Sequence, residues 1–109
     1  MTIKKPGRPA RGSTSGRPIM VLLDVLGQRW VLRILWELRA GRLKFRELQA
    51  RCDGVSPTIL NQRLKQLRDL AIVDSQSDGY GLTESGLALA RELARLNGWA
   101  ERWGAALDK

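Results

Sequence analysis

The chain has 109 residues, which is enough for one small domain with a hydrophobic core of its own. Nineteen lysines and arginines stand against 11 acids, and the net charge of +8 favours a polyanionic partner. Histidine is absent, which removes the usual general base and the commonest transition-metal ligand, and no nucleophile–base pair or phosphate loop occurs. We therefore expect neither an enzyme nor a bound cofactor.

Cysteine usage and hydropathy indicate the compartment. Cys52 is the single cysteine, so no intrachain disulfide can form, and a reducing cytoplasm is expected. No apolar run of membrane-spanning length occurs, and the basic N-terminus is not followed by the apolar segment of a signal peptide. The sequence predicts a soluble, cytoplasmic protein that has no membrane partner.

The charge is unevenly distributed along the chain. Residues 1–18 hold five cations and no acid, residues 29–68 hold ten cations against three acids, and residues 70–109 hold four cations against six acids. A surface made basic for solubility alone would not need this segregation. A polyanion-binding surface is therefore expected in the first two-thirds of the chain.

The first half of the chain predicts an arm and three helices. Residues 1–18 are rich in Gly, Pro, Ser and cations and poor in large apolar side chains, which predicts a disordered basic arm before a domain at 19–109. The apolar segment that begins at Ile19 predicts a helix ended by Gly27. A second helix, apolar on most sides and hence central, is predicted over Trp30–Ala40, with Trp30 and Trp36 in the core. Residues 43–45 predict a short extended segment, and Phe45–Cys52 a third helix broken by Asp53-Gly54.

A fourth helix is predicted over residues 56–69, with Ser56 as its N-cap and Pro57 in its first turn. Leu60, Leu64 and Leu67 fall on one stripe, which is expected to face the core. Thr58, Gln62 and Lys65 point the opposite way, with Asn61 and Gln66 on the flanks. A solvated helix surface is the alternative interpretation of this polar face.

The last third predicts a hairpin and a long helix. Two short extended runs flank Ser77-Asp78-Gly79, and Asp-Gly is a strong tight-turn signal. Thr83 caps a helix that runs to about Leu107. Along it, apolar residues step by four and three, as in a dimer seam: Leu89, Leu93, Leu96, Ala100, Trp103 and Leu107. The fold class is therefore mainly α with a small β-hairpin, a winged helix-turn-helix.

In such motifs the second helix enters the DNA major groove, so the polar face of 56–69 is expected to meet double-stranded DNA. Asn and Gln side chains can pair with adenine edges, Lys with guanine or phosphate, and Thr with the thymine methyl group. The residues predicted to face base edges are Ser56, Pro57, Thr58, Asn61, Gln62 and Lys65.

Three segments resemble the HxlR-type family of winged helix-turn-helix transcriptional regulators. They are "LDVLGQRWVLRILWELRAGRLKFRELQ" (23–49), "GVSPTILNQRLKQLRDLAIV" (54–73) and "YGLTESG" (80–86). The resemblance covers roughly residues 20–105. It implies a dimeric DNA-binding regulator whose first and last helices form the dimer interface and whose Ser-Pro helix is the recognition helix. The residues assigned to the dimer are Leu22, Leu23, Leu89, Leu93, Leu96 and Trp103.

The sequence departs from the family pattern in two places. Many members carry a cysteine just before the first helix, where this chain has Arg17-Pro18-Ile19. Many also have a longer wing, whereas this hairpin turns at Ser77-Asp78-Gly79 and carries two acids, Asp74 and Asp78, and no cation. Minor-groove contact by the wing is therefore not expected to follow the family.

The arm is the alternative source of such contact. Gly-Arg-Pro occurs at 7–9 and at 16–18, which resembles the core of AT-hook arms, although a basic linker would contain the same tripeptide by chance. The residues predicted to contact phosphates, from the arm and from the helix-turn-helix, are Lys4, Lys5, Arg8, Arg11, Arg17, Arg42, Lys44, Arg46, Arg63 and Gln66. Ordinary solvated charges are the alternative for those in the domain.

Cys52, the last helix and the function each admit more than one interpretation. Cys52 follows Leu48 by four residues on an inward face, so a buried small hydrophobe is favoured over a redox sensor. Trp99 and Trp103 favour dimer packing over an apolar effector pocket between protomers. The predicted function is a dimeric, sequence-specific transcriptional regulator. A nucleoid-type architectural binder with little sequence preference and an interaction module in a larger complex are the competing hypotheses.

Overall fold

The computed structural model describes residues 16–108, and within that range it contains five helices and one hairpin. The order α, α, α, α, hairpin, α is the predicted one, and the fold class, mainly α with a small hairpin, is confirmed. The elements are α1 (Pro18–Leu26), α2 (Val31–Leu38), α3 (Phe45–Arg51), α4 (Pro57–Asp69), β1 (Val73–Gln76), β2 (Gly79–Leu82) and α5 (Glu84–Leu107).

The core lies between α2, α3, α4 and the hairpin. Helix α2 contributes four buried side chains and α4 contributes three leucines, each at most 2% exposed. Cys52 is fully buried among them, which confirms that it packs as a small hydrophobe. The buried apolar cluster consists of Val25, Val31, Ile34, Leu35, Leu38, Leu43, Leu48, Cys52, Val55, Leu60, Leu64, Leu67, Ile72 and Val73.

The hairpin forms as predicted and gains a third extended segment. Strands β1 and β2 pair antiparallel from Val73↔Leu82 to Gln76↔Gly79, so only residues 77 and 78 form the turn. Gly79 has φ +121°, a backbone conformation that other residues rarely adopt. Leu43 forms an isolated β-bridge with Tyr80 on the outer edge of β2, so the extended segment predicted at 43–45 is confirmed at Leu43, whereas Phe45 is already the first residue of α3.

Helix α2 differs from its prediction in length and in burial. It spans eight residues, and Trp30 precedes it as the N-cap with a left-handed φ of 81°. Trp30 packs against the core, but Trp36 is 48% exposed and Leu32 is 49% exposed, so the prediction that Trp36 lies in the core is wrong and α2 is central on one side only. The side with Leu32 and Trp36 lines an open groove toward α5. On the outer side the guanidinium of Arg39 stacks 3.7 Å from the Trp36 ring centroid.

Helix α5 begins at a well-formed cap and extends past the core. The Thr83 hydroxyl oxygen accepts from the Gly86 N–H (3.0 Å), as predicted for an N-cap. Leu89 and Leu93 pack against the core, but beyond them Leu96, Trp103 and Leu107 are more than half exposed. The second half of α5 therefore presents its apolar residues outward.

Candidate nucleic-acid interface

The outer face of α4, defined here as Thr58, Asn61, Gln62 and Lys65, is exposed along the helix. The leucine stripe on the opposite side is at most 1% exposed, so the helix cannot rotate without uncovering its core residues. Lys65 has the carboxylate of Asp69 3.2 Å from its Nζ, one turn further along. The structure thus brings together, on one fixed surface, four of the side chains predicted to face base edges.

The start of α4 is set by the Ser-Pro pair. The Ser56 hydroxyl oxygen accepts from the Ile59 N–H at 3.1 Å, and Pro57 occupies the first helical position, where its missing N–H costs no hydrogen bond. Both residues are exposed. They lie at the end of the outer face as predicted, and the Ser56 side chain is engaged in capping.

One flank of α4 is turned toward the molecule, and two residues predicted to contact phosphate lie there. Gln66 is only 4% exposed, so its prediction as an outward-facing contact is wrong. Arg63, one turn earlier on the same side, is partly buried; its Nε donates to the Arg29 carbonyl (2.9 Å), and its Nη1 is buried. These two nitrogens are held within the protein, and a phosphate contact by Arg63 stays a prediction.

Arg42 is also engaged within the protein. Its Nη1 lies 2.6 Å from Oδ1 of Asp74 and 3.1 Å from the Gly79 carbonyl oxygen, and its Nε lies 3.7 Å from Oδ1 of Asp78. The hydrogen bond with Asp74 raises the pKa of Arg42, and the same interaction holds the pKa of Asp74 below its usual range. The side chain that was predicted to contact phosphate is therefore engaged in an ion pair with the hairpin.

The remaining predicted cations differ in their surroundings. Lys44, which precedes α3, and Arg46, within α3, are both exposed. Arg17 is exposed at the start of α1. The Lys44 backbone N–H donates to Glu47 (2.9 Å), which caps α3 and leaves the Lys44 ammonium outward. Lys4, Lys5, Arg8 and Arg11 lie outside the described residues.

Arg68 lines a polar groove between α4 and β1. The sequence pattern did not predict a role for this residue. Arg68 is exposed there, one turn beyond Lys65, and this i, i+3 spacing could have identified it. The groove has a volume of about 690 Å³ and continues from the outer face of α4 to the hairpin. Its lining residues are Asn61, Lys65, Arg68, Asp69, Val73, Asp74 and Ser75.

The predicted dimer residues fall into two groups. Leu22, Leu89 and Leu93 are partly buried against the core of their own chain. Leu23 (51%), Leu96 (58%) and Trp103 (54%) are exposed, and the Trp103 ring stacks on Trp99 at a centroid distance of 5.6 Å. We call the exposed large apolar residues of α1, of α2 and of the Leu96 side of α5 the apolar surface: Ile19, Leu23, Leu32, Trp36, Leu96, Trp99, Trp103 and Leu107.

A reactive cysteine, a metal site and a membrane span were also considered for the described part of the chain. Burial raises the pKa of the Cys52 thiol, which disfavours the reactive thiolate. Among residues 16–108 no three potential metal-ligating side chains come together. None of the helices in that range combines the length and the hydropathy that a membrane span requires.

A family model and a curated relative both match this chain. Residues 25–108 match the model of the family described as HxlR-like helix-turn-helix, which confirms the resemblance found in the sequence. The chain is 34% identical over 88 residues to YvaP of Bacillus subtilis (strain 168), an uncharacterized HTH-type transcriptional regulator, across 74% of this chain and 82% of YvaP.

Two solved structures are similar in fold as well as in sequence. Quinone-bound YodB from B. subtilis has a TM-score of 0.73 and 32% identity, covering 77% of this chain and 96% of that one. A possible HxlR family transcriptional factor from Thermoplasma volcanium GSS1 has a TM-score of 0.67 and 30% identity, covering 76% of this chain and 81% of that one.

Proposed function

This chain belongs to the HxlR-like helix-turn-helix family of DNA-binding transcriptional regulators, and we propose that it acts as a homodimer that reads base edges with the outer face of α4. The main support for the proposal is that α4 has a buried apolar side and, opposite it, an exposed polar side. Leu60, Leu64 and Leu67 are buried, while Asn61 and Gln62 stand exposed on the other side. A helix held in this way presents a fixed set of amides to the major groove.

Each polar residue of the outer face has a role that follows from its chemistry. Asn61 and Gln62 can pair two hydrogen bonds with a base edge, and the Thr58 methyl group can contact a thymine methyl. Lys65 reaches either a guanine or a phosphate. Lys44 and Arg46 are exposed next to the recognition helix and are proposed as phosphate contacts, which position the protein without reading sequence.

The apolar surface supports the homodimer. Eight large apolar side chains at 48–64% exposure on three helices are more than a single protomer of this size usually leaves open to water. An open groove of about 390 Å³ between α2 and α5 continues this surface, with Leu32, Trp36 and Leu96 on its walls. A second copy would cover it and would set the two α4 helices at a fixed separation, as a two-fold operator requires.

The basic arm is proposed to add contacts that do not depend on sequence. Lys4, Lys5, Arg8, Arg11 and Arg17 give residues 1–18 five cations and no acid, so the arm is suited to phosphates or to the narrow minor groove. The proposed place of action is the cytoplasmic nucleoid.

A competition titration tests the regulator against an architectural binder. A duplex from the region upstream of the protein's own gene is first footprinted, and the labelled site is then displaced by unlabelled copies or by random duplex at fixed salt. We expect random duplex to compete about 10³-fold less well, as is typical of specific binding. Equal competition by both duplexes would contradict sequence-specific regulation and favour the architectural role.

A further inference from the structure

The position of Arg42 is fixed by the backbone around it. The next residue, Leu43, is joined to Tyr80 of β2 by two backbone hydrogen bonds of 3.0 and 2.8 Å. The Arg42 side chain then crosses β2 at Gly81, where an added Cβ would lie 2.8 Å from its Cγ and 2.9 Å from its Cζ. Only a glycine leaves room for this path.

Across the hairpin from Gly81 stands Asp74, its partner in the strand register. The guanidinium therefore ends between Asp74, Asp78 and the Gly79 carbonyl, within ion-pair distance of both carboxylates. The second carboxylate oxygen of Asp74 is 3.4 Å from the Gln76 amide nitrogen. We call this arrangement of Arg42, Asp74 and Asp78 the Arg42 clamp.

One carboxylate of the clamp adjoins the outer face of α4, and the other is open to solvent. Asp74 lines the groove beside Asn61 and Lys65 of the outer face, and the Asp78 side chain is 69% exposed at the hairpin turn. Phosphates within about 8–10 Å are not fully screened from such groups at physiological salt, and juxtaposed like charges weaken association. Without a nearby cation, the hairpin would carry two unpaired acids toward a polyanion.

We propose that Arg42 is a positioning residue for DNA binding, which neutralises Asp74 and Asp78 so that the hairpin can lie beside the DNA backbone. This inference rests on the proposed function, because it takes the outer face of α4 as the surface that meets DNA. Arg42 thus promotes binding through the hairpin, without a phosphate contact of its own.

A mutant cycle on the full chain tests the clamp, with affinity for the footprinted duplex as the readout and circular dichroism as the check of folding. Arg42→Ala should weaken binding about tenfold, because it exposes two carboxylates to the phosphates. The double variant Asp74→Asn/Asp78→Asn should bind as tightly as wild type or more tightly. In that background Arg42→Ala should change affinity by less than about twofold.

Two further variants complete the design. Gly81→Ala keeps every charge but displaces the Arg42 side chain, so it should also weaken binding, and the two Asn substitutions should abolish that loss. This variant keeps the test decisive if Arg42→Ala fails to fold. Arg95→Ala is the matched control, since Arg95 pairs with Glu92 (4.0 Å) on α5, and affinity should stay unchanged.

Three results would overturn the clamp. An equal loss from Arg42→Ala in both backgrounds would mean a direct phosphate contact. A loss from Asp74→Asn/Asp78→Asn as large as that from Arg42→Ala would mean that the ion pairs only stabilise the hairpin. Wild type that binds no duplex better than random DNA would contradict the proposed function itself, whereas good wild-type binding with no effect of Arg42→Ala would overturn only the clamp.

Discussion

At the scale of single residues, charge pairing determines which cations are open to an external phosphate. Arg42 is occupied by Asp74 and Asp78, whereas Lys44 is exposed and uses only its backbone N–H in capping α3. A count of cations between residues 29 and 68 therefore overstates the positive charge that faces DNA, and the pairing of each guanidinium has to be considered separately.

The titration of Asp74 reports this pairing directly. Because Arg42 lowers the pKa of Asp74 in the folded protein, the pair stabilises the hairpin fully above the ordinary Asp pKa of about 3.8, and this contribution is lost as the pH falls through the lowered value. Carboxyl NMR titration of Arg42→Ala should show the pKa of Asp74 rising toward 3.8. An unchanged pKa in that variant would contradict the pairing, and Arg95→Ala should leave it as in wild type.

At the scale of elements, helix N-caps and apolar stripes are the features that the sequence predicts correctly. Ser56 and Thr83 are the N-caps expected from the sequence, and both hydroxyl oxygens accept the expected backbone N–H. The stripe of Leu60, Leu64 and Leu67 determines the inner side of α4 because helical periodicity depends on the local sequence alone. The outer face follows from the same periodicity.

What the sequence could not predict depends on neighbours distant in the chain. Gln66 is buried although it lies on the flank of α4, because no local pattern gives the width of a buried face. Trp36 is half exposed because it lines an open groove between α2 and α5, and the distance between two helices does not follow from local sequence. The pairing of Arg42 with Asp74, 32 residues further along the chain, needs the bridge between Leu43 and Tyr80.

The N-cap of α4 should be worth a measurable part of the stability. Ser56→Ala removes the acceptor for the Ile59 N–H, and we expect the free energy of unfolding in urea to fall by about 0.5–2 kcal/mol. Ser85→Ala is the control, because Ser85 is exposed in the first turn of α5 and is not the cap of that helix. An equal loss in both variants, or none in Ser56→Ala, would show that the cap does not stabilise α4.

At the scale of the whole molecule, the apolar surface and the outer face of α4 serve different partners. The domain buries one continuous core yet leaves Leu96 and Trp103 of α5 more than half exposed. A second copy is the partner that we propose for the apolar surface, and DNA is the partner that we propose for the outer face of α4. Binding of DNA as a dimer therefore requires both.

Leu96→Asp should convert the dimer to monomers, because it places a charge in the middle of the apolar surface without disturbing the core. Sedimentation at micromolar concentration should show the smaller species, and affinity for the footprinted duplex should fall with it. The control is Ala105→Asp, nine residues and thus two and a half helical turns further along, which lies on the opposite side of α5. A monomeric wild type, or a dimeric Leu96→Asp variant, would contradict the proposed interface.

Substitution of Gln62 tests most directly whether the outer face of α4 reads bases. Binding sites are selected from random DNA with wild type, with Gln62→Ala and with Gln49→Ala as the control, since Gln49 lies on α3 and its amide is 3.4 Å from the Val55 carbonyl oxygen. We expect wild type to yield half-sites repeated about 10 base pairs apart, or a multiple of that. Gln62→Ala should lose preference at one position per half-site, worth about 1–3 kcal/mol, while Gln49→Ala keeps the wild-type motif. The same motif from wild type and from Gln62→Ala would contradict base reading by this residue of α4.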